Sequence, residues 1–253
     1  MFPVLLLELG LAAAGASALE AQMPRVAPRP LGAGTPGVER LKQLSSLSAQ
    51  AEREVERMLT EAAAHVSAAV PMEVGSAKRI TLVAAESVAD SALALQPTVE
   101  ALYWYATARG LRADMEGGQD QVDLAAAVYE EAQAILDADP DHAGAHHILG
   151  RLHAGVMRLG RIKRFLTVRV LGGGALSDAS WAGAEEHFRA AIALEPGRVE
   201  HKLELATLLV DTDRPDEARP LLEGVVRAPA CTLVVAHFQE KARALLEELG
   251  EGR

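Results

Sequence analysis

Apolar residues recur at intervals of three and four through most of the chain beyond position 38, the period of helices that bury one face. Between Val38 and Val70, Leu41, Leu44, Leu47, Ala51, Val55 and Met58 share one face, Glu52, Arg53, Glu56 and Arg57 occupy the other, and Pro71 ends the run. From Trp181 to Pro196 the small residue Ala184 stands four before Phe188, a second small residue follows at Ala191, and Pro196 stops the helix. A small residue lets a neighbouring helix approach, and an aromatic residue one turn away fills the space beside it. Such a helix is built to be stacked.

Measured from small-residue anchors, the pattern repeats. Ala85, Ala125, Ala184 and Ala218 anchor four second helices at separations of 40, 59 and 34 residues, and the last equals the tetratricopeptide period. First helices follow the W-x2-L-G-x2-Y pattern loosely: Trp104, Thr107, Ala108 and Leu111; His146, Leu149, Gly150 and His153; Lys202, Leu205, Ala206 and Leu209. Three first helices and four second helices leave one second helix unpaired, and the 38–70 helix is its expected partner and the cap of the array. Thr232 to Leu249 supplies a closing amphipathic helix. The expected fold is therefore all-α, a tetratricopeptide-like helical repeat array, or α-solenoid, in which no unit buries its apolar face alone.

One repeat is interrupted by an insertion. Ala206 and Ala218 are 12 residues apart, whereas Gly150 and Ala184 are 34 apart, so 22 residues have been added within Met157 to Ser180. The added stretch holds Arg158, Arg161, Lys163, Arg164 and Arg169 against the single acid Asp178. Gly172 to Gly174 lacks the Gly-Lys-Ser/Thr and the preceding strand of a phosphate loop, and serves a chain reversal instead.

The N-terminal end has a different composition. Phe2 to Ala18 is an apolar run ending in Ala16-Ser17-Ala18, the small-x-small form of an export signal, although Glu8 interrupts it. The expected organisation is a signal peptide over 1–18, a Pro/Gly-rich linker over 19–37 and the repeat domain over 38–253. Export to the periplasm or beyond the cell follows; the alternatives are an uncleaved N-terminal membrane anchor, or a cytoplasmic protein starting at Met23.

Charge and reactive residues narrow the function. The net charge is −10, which argues against nucleic-acid binding, since affinity for phosphate backbones comes from clustered Lys and Arg. Cys231 is alone, so neither an intrachain disulfide nor a cysteine-based zinc site can form. His142, His146 and His153 share a helical face with His147 beside them, but no Glu follows His142 in an H-E-x-x-H arrangement, so they are expected to pack and hydrogen-bond rather than hold metal. No nucleophile elbow or paired-carboxylate arrangement is present. The expectation is a protein without enzymatic activity, cofactor or metal.

Aligning the first helices places Tyr105, Arg109, Arg112, His147, Arg151 and Arg158 on the inner side of the array. The planar guanidinium fork suits carboxylate and phosphate, so this stripe is a candidate surface for an acidic peptide or a lipid head group. The competing reading is that these arginines pair with Glu and Asp of neighbouring helices. Arg161, Lys163, Arg164 and Phe165 extend the candidate surface into the basic insertion.

HHILGRLH at 146–153, the insertion with Arg164-Phe165-Leu166 and Gly172-Gly173-Gly174, Trp181 with Ala184-Glu185-Glu186, and the helix pair 199–227 together resemble the tetratricopeptide-like domain of the regulator of microtubule dynamics family. The resemblance runs from about Ser76 to Leu249, is most specific between 142 and 196, and is to bacterial-type members, which have no assigned activity. It implies a helical binding domain. Animal members are linked to microtubules and the mitochondrial surface, and one binds and transfers phospholipid. It brings no site residues. The function expected is an adaptor that uses its inner face and basic insertion to bind a protein segment. The alternative is a carrier of lipid or another apolar ligand, with the insertion as lid and an anionic lipid as partner.

Overall fold

The computed structural model describes residues 36–159 and 176–251, the first twelve of them as backbone. Nine helices lie among the described residues: α1 Pro36–Ala69, α2 Ser76–Leu95, α3 Val99–Ala113, α4 Gly118–Ala138, α5 Ala143–Arg158, α6 Trp181–Leu194, α7 Val199–Asp211, α8 Pro215–Arg227 and α9 Leu233–Glu251. Each packs against the next in the chain, and α1, α3, α5, α7 and α9 also touch in succession. The odd-numbered helices thus form one layer and the even-numbered ones lie behind them: a tetratricopeptide-like array of antiparallel pairs, with the insertion between α5 and α6. No helix among the described residues is long and apolar enough to cross a membrane. The 1–18 segment lies outside the described residues, as does the linker up to residue 35.

Local chemistry sets the helix ends. The hydroxyl of Thr98 accepts from Ala101 N at 3.1 Å, that of Ser180 from Gly183 N at 3.0 Å and that of Thr232 from Val235 N at 3.2 Å, each satisfying an otherwise orphaned amide. Pro36 opens α1 two residues before the expected start, because its fixed φ already suits a first helical position. At the tight turn after α7, Asp213 adopts φ 60°, so Arg214 N donates to Leu209 O (2.8 Å) and Asp213 N to Val210 O (3.1 Å). That closure keeps the last repeat at its short spacing.

All four second-helix anchors, Ala85, Ala125, Ala184 and Ala218, are buried. So are Leu111, Leu149, Leu205, Leu209 and Leu222. Helix α1 is both cap and partner: Ala62, Ala63 and Val66 enter the same core as Leu82 and Ala85 of α2. The apolar interior falls into two main clusters. One joins α1 to α5 and includes Leu176; the other joins α6 to α9 and takes in Ala154 of α5 and Val70. Helix α5 is the boundary, giving Ile148, Leu149, Leu152 and Val156 to the first cluster.

Gly150 is where α6 docks on α5. A Cβ added there would stand 2.7 Å from both Cδ1 and Cε1 of Phe188, a side chain with no exposed surface. Gly150→Ala is expected to cost about 1–3 kcal/mol through overpacking. Thermal melts should show the loss shrinking in a Phe188→Leu background; a full-sized loss in both backgrounds would exclude this contact as the cause.

Candidate functional site

Tyr105, Arg109 and Arg112 lie at i, i+4 and i+7 on α3, one face of a helix. The guanidinium of Arg109 sits 5.1 Å above the centre of the Tyr105 ring and is ion-paired with Glu131 of α4, while its Nε is 3.6 Å from Glu86 of α2. Arg112 completes the group by donating through Nε and Nη2 to the two carboxylate oxygens of Glu86, at 2.8 and 3.1 Å. Burial pushes the Glu131 carboxyl up to about 7 against the pull of Arg109. Alongside, Arg79 pairs with Glu116. These arginines, with Glu116, Asp120, Asp123 and Leu124, line an open cleft of about 500 Å³ between α2, α3 and the start of α4. Its wall is mostly charged. Each lining arginine has a carboxylate partner, and Asp120 and Asp123 are exposed at the rim.

His147, Arg151 and Arg158 form a second group that faces α7. His147 Nδ1 is 2.9 Å from His201 Nδ1; Arg151 Nη1 reaches Glu204 at 3.2 Å and its Nη2 lies 4.0 Å from Asp114 at the end of α3; Arg158 Nε donates to Asp211 at 2.7 Å. These contacts form a polar seam tying α3, α5 and α7 side by side. The stripe expected from helix alignment is therefore two patches. One borders the cleft; the other is a seam in which successive first helices cover each other's side chains. Arg109, Arg112, Arg151 and Arg158 are all paired with acids of neighbouring segments. Arg161, Lys163, Arg164 and Phe165 lie outside the described residues.

The histidines also settle into packing roles. His142 Nδ1 caps α5 by accepting from Ala145 N at 3.1 Å, and its ring lies 4.8 Å from that of Tyr103. His146 Nδ1 is 3.0 Å from His187 Nδ1, and His153 stacks on Tyr129 with ring centres 6.1 Å apart. Among the described residues no group of three or more His, Cys, Asp or Glu side chains is placed to hold a metal ion. Cys231 is exposed, in the connection between α8 and α9.

The sequence reading missed Arg79, Glu116, Asp120 and Asp123 as cleft residues, and Glu86, Glu131, Glu204 and Asp211 as the acids that occupy the arginines. A partial signal exists, since Glu86 follows the anchor Ala85 and Glu204 precedes Leu205, which places each beside the packing face. What alignment of first helices lacks is the azimuth of the neighbouring helix.

No curated protein matches this chain. Among solved structures it is similar to a thermophilic TPR protein of Thermus thermophilus, at 21% sequence identity and a TM-score of 0.36, with 66% of this chain and 91% of that chain covered. The family model described as regulator of microtubule dynamics protein 1-3 matches residues 37–250, nearly the whole of the described helical array, and the chain belongs to that family.

Proposed function

We propose that this protein is a non-catalytic adaptor that binds a protein segment in the cleft between α2, α3 and α4. The observation that carries the reading is the character of the cleft: open, about 500 Å³, and walled by paired arginines and carboxylates. An apolar ligand is retained by an enclosed apolar cavity, whereas a wet charged groove suits the alternating amides and side chains of a peptide. A helical-repeat fold and membership of this family fit protein interaction in general. The exposed Asp120 and Asp123 at the rim bias the groove toward segments carrying Lys or Arg. The lining arginines are tied to Glu86, Glu116 and Glu131.

Selection from a random peptide library on immobilised full-length protein tests this. Peptides enriched in basic residues are expected. Their retention should fall at least tenfold in the Asp120→Lys/Asp123→Lys variant, whose changes lie on exposed positions and leave the fold intact. Mass spectrometry of molecules copurifying with the protein provides the opposite result: a stoichiometric lipid with no peptide enrichment would replace the adaptor by the carrier.

A further inference from the structure

Two histidine pairs join α5 to the helices that follow the insertion. His146 Nδ1 and His187 Nδ1, 3.0 Å apart, connect α5 to α6; His147 Nδ1 and His201 Nδ1, 2.9 Å apart, connect α5 to α7. The far nitrogens fix the tautomers. His146 Nε2 is 3.0 Å from the Pro140 carbonyl and His201 Nε2 is 3.5 Å from a Glu195 carboxylate oxygen, and both of those partners only accept. Each far nitrogen therefore carries its proton. The Nδ1 of a neutral His146 or His201 is then an acceptor, and His187 and His147 donate to them. In both pairs the bond joins two neutral rings, so a proton taken up by the half-buried His187 or the buried His147 places a charge in a site built for uncharged histidine.

The surroundings leave no easy alternative. His147 is fully buried and its Nε2 has no partner, so moving a proton there to save the bond would strand a buried N–H. Around this pair stand Arg151 of α5, and Arg198 and Glu195 from the α6–α7 connection. Around the other pair stand His153 of α5, 5.5 Å from His187 ring to ring, and Asp178 of the segment entering α6, which acts on His153. A Cβ on Gly183 would lie 2.5 Å from His153 Nδ1, so α6 is pressed against these rings. The pairs also lie on the boundary between the two apolar clusters, at the N-terminal end of α5.

We propose that these paired histidines are an acid-released joint: near neutral pH they clamp α6 and α7 onto α5, and acidification loosens that contact while the core of α1 to α4 stays folded. The joint is separate from the cleft of the adaptor, lying where the two halves of the array meet.

The direction follows from linkage. Burial, with His153 and His146 nearby, pushes His187 down to about 4, and burial, with His201, Arg151 and Arg198, holds His147 well below the ordinary range. A base depressed in the closed state gives no pH dependence above its ordinary value of about 6.5, where both states are neutral. As pH falls below that value the open state takes the proton first, so closure weakens down to about 4 for His187. Glu195 is lowered first by its hydrogen bond to His201, so it keeps its charge, and its stabilising effect, through most of this window. Glu131 in α4, raised by burial, works the other way: it takes its proton in the folded state as pH falls, which favours the N-terminal core.

Hydrogen exchange of the full chain at pH 7.5 and 5.5, with intrinsic rates normalised, tests the joint. Amides of α5, α6 and α7 should themselves lose at least about tenfold protection between pH 7.5 and 5.5, the factor given by one histidine that stays neutral in the closed state one pH unit below its ordinary value of about 6.5. Equal change in all helices, or none, would overturn the proposal. A His146→Asn/His187→Asn/His147→Asn/His201→Asn variant that remains helical at pH 7.5 should show no loss of protection in α6 and α7 on going to pH 5.5, since Glu131 acts only on the N-terminal core; a retained loss in those two helices would also overturn it. If that variant does not fold, NMR titration of the wild-type histidine Cε1 protons decides. His187 and His147 must titrate well below the ordinary value and together with the amide loss, and ordinary titration with intact amides refutes the joint.

Discussion

Replacing Phe188 with alanine is expected to remove about 3–5 kcal/mol of stability, the range for emptying a buried aromatic site. In a chain of this size that lowers the melting temperature by on the order of 10 °C. Phe188 has no exposed surface, fills the notch over Gly150, and lies edge-on to His147 at 5.9 Å between ring centres. The gap cannot close by a local shift, because the notch is backbone on one side and α6 is held by its cap at Ser180 on the other. Scanning calorimetry should show the loss. A change under about 1 kcal/mol would mean that α6 does not dock on α5 through this residue.

The second large effect belongs to Arg151. Its side chain is only 10% exposed and serves Glu204 of α7 and Asp114 after α3, which are themselves 16% and 22% exposed. Arg151→Ala takes the cation 3.2 Å away from the largely buried Glu204 carboxylate, and breaking such a pair from one side costs about 3 kcal/mol because the stranded charge stays desolvated. Chemical denaturation should therefore show a large loss for Arg151→Ala and a substantial recovery for Arg151→Met/Glu204→Gln, in which one stranded charge is gone. Arg57 is the control. It pairs with Glu54 and Glu61 at 2.7 and 2.8 Å but is 59% exposed, and Arg57→Ala should leave the denaturation midpoint nearly unchanged. Equal losses at Arg57 and Arg151 would remove the distinction between surface pair and seam.

The contrast between those two arginines marks how far the sequence could be read. Both stand on amphipathic helices, and periodicity assigns each to a polar face. The fold was legible because small residues at fixed spacing record how closely helix axes approach: Gly150, Ala184 and Ala218 are close helix contacts written into composition. The candidate site was legible only as a set of arginines. Tyr105, Arg109 and Arg112 do sit together, but His147, Arg151 and Arg158 turn toward α7, where His201, Glu204 and Asp211 meet them from 53 or 54 residues further along the chain. Spacing along one helix cannot report which neighbour faces it.

Sequence by itself determined the helices, their pairing, the anchors of each repeat and the position of the insertion, since these depend on local propensity and on residue size at a fixed period. Tertiary structure alone decided which charges are spent and which remain available. It divided one expected basic stripe into a cleft wall and an inter-helix seam, and it brought His146 to His187 and His147 to His201. Those outcomes depend on the rotation of each helix about its axis against its neighbours, a quantity fixed by the packing of the whole stack rather than by any one of its helices.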